Sequence, residues 1–169
     1  MYFQNLENLK SSIPKFNIEN LDYWLGSMSP IYYKKINPKE FAIRYGMDIE
    51  SAFNLFDLAV EKNILKPKII VVDDNSTPFG TFYDIDKVPE TIDDFENNIS
   101  FKVEKHNMEI WYELIEVPKE FTAPVENNYL KSGIGLEERP TLEILERAGA
   151  ANTLKKLRQN RRGLKNWKK

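Results

Sequence analysis

Apolar residues follow two rhythms along this chain, one helical and one alternating, and residues 37–72 hold both in succession. Between 49 and 62, Ala52, Phe53, Leu55, Phe56, Ala59 and Val60 recur every three or four positions, the spacing that gives a helix one buried side. Asp48 stands at the N-cap of that run, Asn63 ends it and Pro67 forbids its continuation. Upstream, Asn37-Pro38-Lys39-Glu40 is a second helix start. Asn37 suits the N-cap, Pro38 the first helical position, and Glu40 can reach back as in a capping box. Phe41, Ala42 and Tyr45 form the apolar side of this shorter helix, and Gly46 can close it in a left-handed conformation. Ile69-Ile70-Val71-Val72 is a β-rich run, followed by the turn Asp73-Asp74-Asn75-Ser76.

Helix, tight turn, helix and strand in this order read as a winged helix-turn-helix. Residues 1–20 read as a lead-in helix carrying Leu6, Leu9 and Ile13, stopped by Pro14. Residues 21–33 hold Tyr23, Trp24, Leu25, Met28, Ile31, Tyr32 and Tyr33, with Asp22 placed to cap a first turn and Gly26 and Pro30 limiting its length. They read as a core helix plus an extended crossing, with an aromatic binding surface as the alternative. Further β-prone runs cover residues 80–85, 99–104 and 108–117. The last alternates Ile110, Tyr112 and Leu114 with Glu109, Trp111 and Glu113, as a half-buried strand should. Lys105-His106-Asn107 reads as a hairpin connection between the last two.

Composition then shifts. Pro118, Pro124, Asn127-Asn128, Gly133, Gly135 and Pro140 mark residues 118–140 as a linker or an arm laid on a partner. Leu142, Ile144, Leu145 and Ala148 predict a helix over 141–148, interrupted by Gly149. Asn152 or Thr153 can cap a final basic helix with Leu154 and Leu157. The expected fold class is α+β: a winged helix-turn-helix with a small antiparallel sheet, plus a C-terminal basic helix. Its expected divisions are residues 1–117, the arm 118–140 and a helical basic tail 141–169.

Charge adds an asymmetry to this picture. All 26 acidic residues lie at or before Glu146, whereas residues 151–169 hold eight cations and no acid. Residues 1–150 therefore set 16 cations against 26 acids, a net −10. An acidic body with a basic tail expects an acidic counterpart for the tail. Lys155, Lys156, Arg158, Arg161, Arg162 and Lys165, with Trp167 available for stacking, are the candidate contacts. Nucleic acid and an acidic protein surface are both suitable, beside the plainer reading of a solvated tail.

Several chemistries fall away. The chain has no cysteine, which removes disulfides, thiolate zinc sites and cysteine nucleophiles and fits a cytoplasmic location. No apolar run nears the roughly 18 residues that cross a bilayer, and the N-terminus lacks a signal-peptide pattern. No membrane partner, catalytic residue, metal or cofactor is expected. His106 stands alone in turn-like sequence, and Asp73-Asp74 and Asp93-Asp94 lie where aspartate is favoured by backbone bonding. Gly133-Ile134-Gly135 lacks the helix and lysine of a phosphate loop. The solvent side expected for the second helix offers Glu50, Ser51, Asn54, Asp57, Glu61 and Lys62. That sign is wrong for phosphates, so Glu50, Asn54, Asp57 and Glu61 are assigned to protein interaction.

After the wing strand stands Thr77-Pro78-Phe79-Gly80, and before the last strands Asp93-Asp94-Phe95-Glu96. In element order and in the placing of Pro and Gly, residues 37–114 resemble a module of bacterial signalling and defence proteins in which a winged helix precedes a zinc ribbon. That family carries Cys-Pro-x-Cys-Gly at the first position and a second cysteine pair at the other; all four cysteines are absent here, and His106 is the only imidazole. The resemblance covers less than half the chain and implies a ribbon without its ion, held by Phe79, Phe82, Phe95 and Phe101. It also implies accessory work beside catalytic domains. Small acidic winged-helix subunits of similar layout accompany larger ATPases and nucleases in anti-phage systems.

The expected function is a non-catalytic adaptor subunit of a bacterial multi-protein assembly. It would bind a larger protein through the acidic body and arm, with the basic tail on DNA, RNA or that partner. The alternative is a stand-alone winged-helix DNA-binding regulator using the tail with Lys39 and Arg44. A metal-dependent enzyme resting on Asp73 and Asp74 is the distant third reading.

Overall fold

Six α-helices and five β-strands follow in order, beside three short 3-10 turns, among the residues that the computed structural model describes, 2–7, 14–118 and 138–158. They are α1 (Gln4–Glu7), α2 (Lys15–Gly26), α3 (Pro38–Tyr45), α4 (Ile49–Glu61), β1 (Leu65–Val72), β2 (Pro78–Phe82), β3 (Thr91–Asp94), β4 (Ile99–Lys102), β5 (Met108–Leu114), α5 (Leu142–Ala148) and α6 (Ala151–Leu157). The chain is therefore α+β, with helices and small antiparallel sheets. Among the described residues no helix is long and apolar enough to cross a membrane.

The local signals around α3 and α4 act as their chemistry requires. Asn37 Oδ1 accepts from the Lys39 N–H at 2.9 Å, Asp48 Oδ1 accepts from the Ser51 N–H at 2.6 Å, and Gly46 takes φ +64°. Upstream the boundaries differ from expectation. One helix, α2, runs through residues 15–26, because Pro14 is tolerated at a helix start and nothing after it breaks the turn. Asp22 is thus no cap for a turn beginning at residue 21. Its carboxylate accepts the Tyr2 and Phe3 N–H groups at 2.9 and 2.8 Å and ties down the N-terminal segment. Tyr2 packs where a Cβ on Gly26 would stand.

Two sheets form where one was expected: a three-stranded β2-β1-β5 and a separate β3-β4 hairpin. Lys105–Asn107 is accordingly no hairpin turn, since β4 pairs with β3 and β5 with β1. Asn107 makes the crossing. Its side chain accepts from the Glu104 N–H and donates to the Val72 carbonyl. β1 also starts earlier than its apolar run and includes Pro67, opposite Tyr112. Tyr112 exchanges both of its backbone bonds with Ile36 on the far side. Pro67 therefore sits in a non-hydrogen-bonded pair, and its missing N–H faces the side where β2, which begins pairing at Ile69, offers no partner.

The core lies between α4 and the inner face of this sheet. The Phe56 ring stands 5.5 Å from Phe41, 6.0 Å from Trp24 and 5.1 Å from Tyr112, joining α2, α3, α4 and β5 through edge and tilted ring contacts. Leu142, Leu145 and Leu157 belong to the same core. α6 is capped from outside. Asp57 on α4 accepts the Thr153 N–H at 2.6 Å and both the N–H and side-chain amide of Asn152. Asn152 and Thr153 do not serve as caps themselves: Thr153 is buried with its hydroxyl 3.4 Å from Tyr112.

Asp57→Ala would strand two helix-end N–H groups in a buried place and should lower unfolding free energy by about 2 kcal/mol. Asn54→Ala, on the exposed side of α4, should stay within about 0.5 kcal/mol. Urea denaturation of both variants measures this; equal values would contradict the capping role.

Candidate functional site

Four surface features carry the residues able to act on something else. The first is α4 itself. Of its assigned interaction residues, Asn54 and Glu61 are exposed, Glu50 pairs with Arg147 of α5, and Asp57 is buried. Helical spacing places Asp57 outward; the structure turns it toward α6, so it is removed from the surface. The stripe left open is Ser51, Asn54 and Glu61, with the half-buried Lys62 at the helix end as its one cation.

The second is the basic end. Lys155, Lys156 and Arg158 are exposed, and among the described residues none of them has a carboxylate within 4.0 Å. Arg161, Arg162, Lys165 and Trp167 lie outside the described residues, as does most of the 118–140 arm. At the arm's end Arg139 reaches the Ser76 hydroxyl at 3.1 Å and Glu109 at 3.8 Å, while Ile110 N–H donates to the Pro140 carbonyl.

The third is a mainly apolar cleft of about 160 Å³ lined by Leu65, Pro67, Tyr83 and Ile115, together with Asn63, Lys66 and Lys156. The Lys66 ammonium sits 4.5 Å above the Tyr83 ring, a cation–π contact. Lys68 donates to the Lys34 carbonyl and pairs with Glu113 at 3.5 Å, and the Tyr83 hydroxyl donates to Glu113 at 2.6 Å. That bond, lost on ionisation, holds the Tyr83 phenol above its ordinary value. Sequence reasoning passed over this cleft, because its walls come from β1, the residues after β2 and β5, and α6, and only sheet register brings them together.

The fourth is apolar exposure. Tyr23 is 44% exposed, Ile31 74% and Tyr32 53%, although Trp24 and Leu25 beside them are buried. Residues 21–33 are thus divided between core and surface. Phe95, expected to help hold a metal-free ribbon, is 91% exposed at the tip of the β3-β4 hairpin. Phe79 and Phe101 do meet, at 5.6 Å, and Phe82 packs on the core. The signal for Phe95 lies in its neighbours: Asp94, Asn97 and Asn98 are turn formers.

The carboxylates singled out earlier are engaged locally. Asp73 accepts the Asn75 and Thr77 N–H groups at 2.9 Å each, Asp93 accepts from Ser100, and Asp94 closes the hairpin tip. His106 lies at 3.6 Å from Asp74 and 3.5 Å from Glu104 on the surface. Among the described residues no group of three or more His, Cys, Asp or Glu side chains could hold a metal ion. Compared with protein-family models, curated proteins and solved structures, the chain matches none.

Glu113→Gln removes the charge that opposes Tyr83 ionisation, so the Tyr83 ring should titrate closer to its ordinary value of 10.0. Ring NMR shifts followed against pH test this; an unchanged titration would mean that Glu113 does not control the phenol.

Proposed function

We propose that the chain is a non-catalytic accessory subunit that docks on a larger protein of the same assembly. In this reading the α3–α4 unit, the β1–β2 hairpin and β5 form a winged helix used as a scaffold. The observation that carries it is the covering of α4. A groove-reading helix-turn-helix needs its second helix free to enter the major groove. Here α5 and α6 pack along that helix, Asp57 is bound to α6 backbone, and the remaining stripe offers phosphate only Lys62, half-buried at the helix end beside the exposed Glu61. This weighs against the stand-alone DNA-binding regulator.

The partner surface we assign is Tyr23, Ile31 and Tyr32, supported by the aromatic enrichment of protein interfaces and joined to the acidic character of residues 1–150. The basic end, from Lys155 onward, serves nucleic acid or the same partner. The winged-helix and zinc-ribbon resemblance would set this subunit in the bacterial cytoplasm, in a multi-protein assembly such as an anti-phage system.

Affinity capture from native cells, run in parallel with and without nuclease treatment, tests the proposal. Cutting the chain after Ala150 is unsuitable, because Thr153 and Leu157 are fully buried. Point variants serve instead. One larger protein should co-purify with the wild-type chain and be lost with Ile31→Asp/Tyr32→Ala. Recovery of nucleic acid alone, abolished when Arg161, Arg162 and Lys165 become Gln, would replace the adaptor with the regulator.

A further inference from the structure

The cleft beside Tyr83 and the tip of the β3-β4 hairpin are complementary in size, polarity and charge. The cleft is mainly apolar, about 160 Å³ in volume, and counts Lys66 and Lys156 among its lining residues. A cavity of about 150 Å³ accepts a benzene ring, so the cleft is sized for one aromatic side chain. Neither lysine has a carboxylate within 4.0 Å among the described residues. Two uncompensated cations therefore border an apolar hollow on a body whose net charge is strongly negative.

The hairpin tip offers the inverse. Phe95 projects almost wholly into solvent, flanked in sequence by Asp93, Asp94 and Glu96. Its presentation is fixed in advance. Asp94 Oδ1 accepts the Glu96 and Asn97 N–H groups at 3.2 and 3.3 Å, its Oδ2 accepts from the Asn97 side chain at 2.8 Å, and Asn98 takes φ +53° to turn the chain back into β4. A ring held out on an ordered turn loses little conformational freedom when it is buried elsewhere.

We propose that the chain self-associates, with Phe95 of one copy inserted in the Tyr83 cleft of another and the flanking carboxylates on Lys66 and Lys156. Burial of the ring supplies the hydrophobic term, and the lysines add charge pairing and a cationic edge to the inserted ring. The contact joins two different patches, so it either closes as a reciprocal pair or propagates head to tail. It is separate from the Tyr23, Ile31 and Tyr32 surface assigned to a larger partner, and shares only Lys156 with the basic end. One inserted side chain with a small rim places the contact in the weak, concentration-dependent class.

Sedimentation of the full-length chain over a wide concentration range tests this. Wild type should shift from monomer to larger species, less so as salt rises. Phe95→Ala, which leaves the core intact, should weaken association by about tenfold or more. Lys66→Glu/Lys156→Glu should do the same from the other side. The decisive step is mixing. The first variant keeps a working cleft and the second a working tip, so two chains that remain monomeric apart should form a heterodimer together. A wild type that stays monomeric throughout, a Phe95→Ala chain that associates like wild type, or variants that fail to pair on mixing would overturn the proposal.

Discussion

The buried carboxylate of Asp57 is the constraint on which the placing of α6 depends. It sits on α4 one residue after Phe56, whose ring gathers Trp24, Phe41 and Tyr112 into one core. Two neighbouring side chains thus divide the work: Phe56 fastens α4 to α2, α3 and the sheet, and Asp57 fastens it to α6. A helix N-terminus leaves unsatisfied N–H groups and carries partial positive charge, so a carboxylate aimed at Thr153 and Asn152 answers both needs. α6 has only seven residues and could not stand alone in water. The packing of Leu157 and the bond to Asp57 give it a place.

That attachment determines what the surface can do. With α5 and α6 against α4, the outward side of α4 narrows to a few residues, and binding chemistry moves to the periphery. The outer edge of β5 is likewise taken, by Ile36 at one end and by residues 140–141 at the other, which removes a strand edge that could recruit another chain. Among the described residues, what remains open includes the aromatic segment after α2, the outer edge of β2, the cleft beside Tyr83, the hairpin tip and the cations Lys155, Lys156 and Arg158.

Features governed by neighbours in sequence could be read without the structure. Asn37, Gly46 and Asp48 act within three residues of themselves, so the limits of α3 and α4 follow from their chemistry. The alternation of Ile110 and Tyr112 with Trp111 and Glu113 likewise marks β5. Features governed by distant partners could not. Asp57 looks like a solvent residue at its helical position, and its acceptor role depends on N–H groups some 95 positions away. Pro67 reads as a terminator unless the β2 register is known. Lys105-His106-Asn107 has turn chemistry, but whether a turn joins paired strands depends on where β3 lies. The zinc-ribbon resemblance implies an inward Phe95, whereas Asp94, Asn97 and Asn98 around it form an exposed tip. Of the candidate site, the charged residues were visible individually, whereas the cleft exists only through the meeting of β1, the residues following β2 and β5, and α6.

The most direct test of the covered α4 is an NMR titration of the full-length chain with duplex DNA at low ionic strength, observed residue by residue. The account predicts that Ser51, Asn54, Asp57 and Glu61 keep their resonances, and that any perturbation is confined to Lys155 and the residues after it. Shifts along α4 on adding duplex, with release of the Asp57 contacts to α6, would mean that the helix does enter the groove, and the central claim would fail.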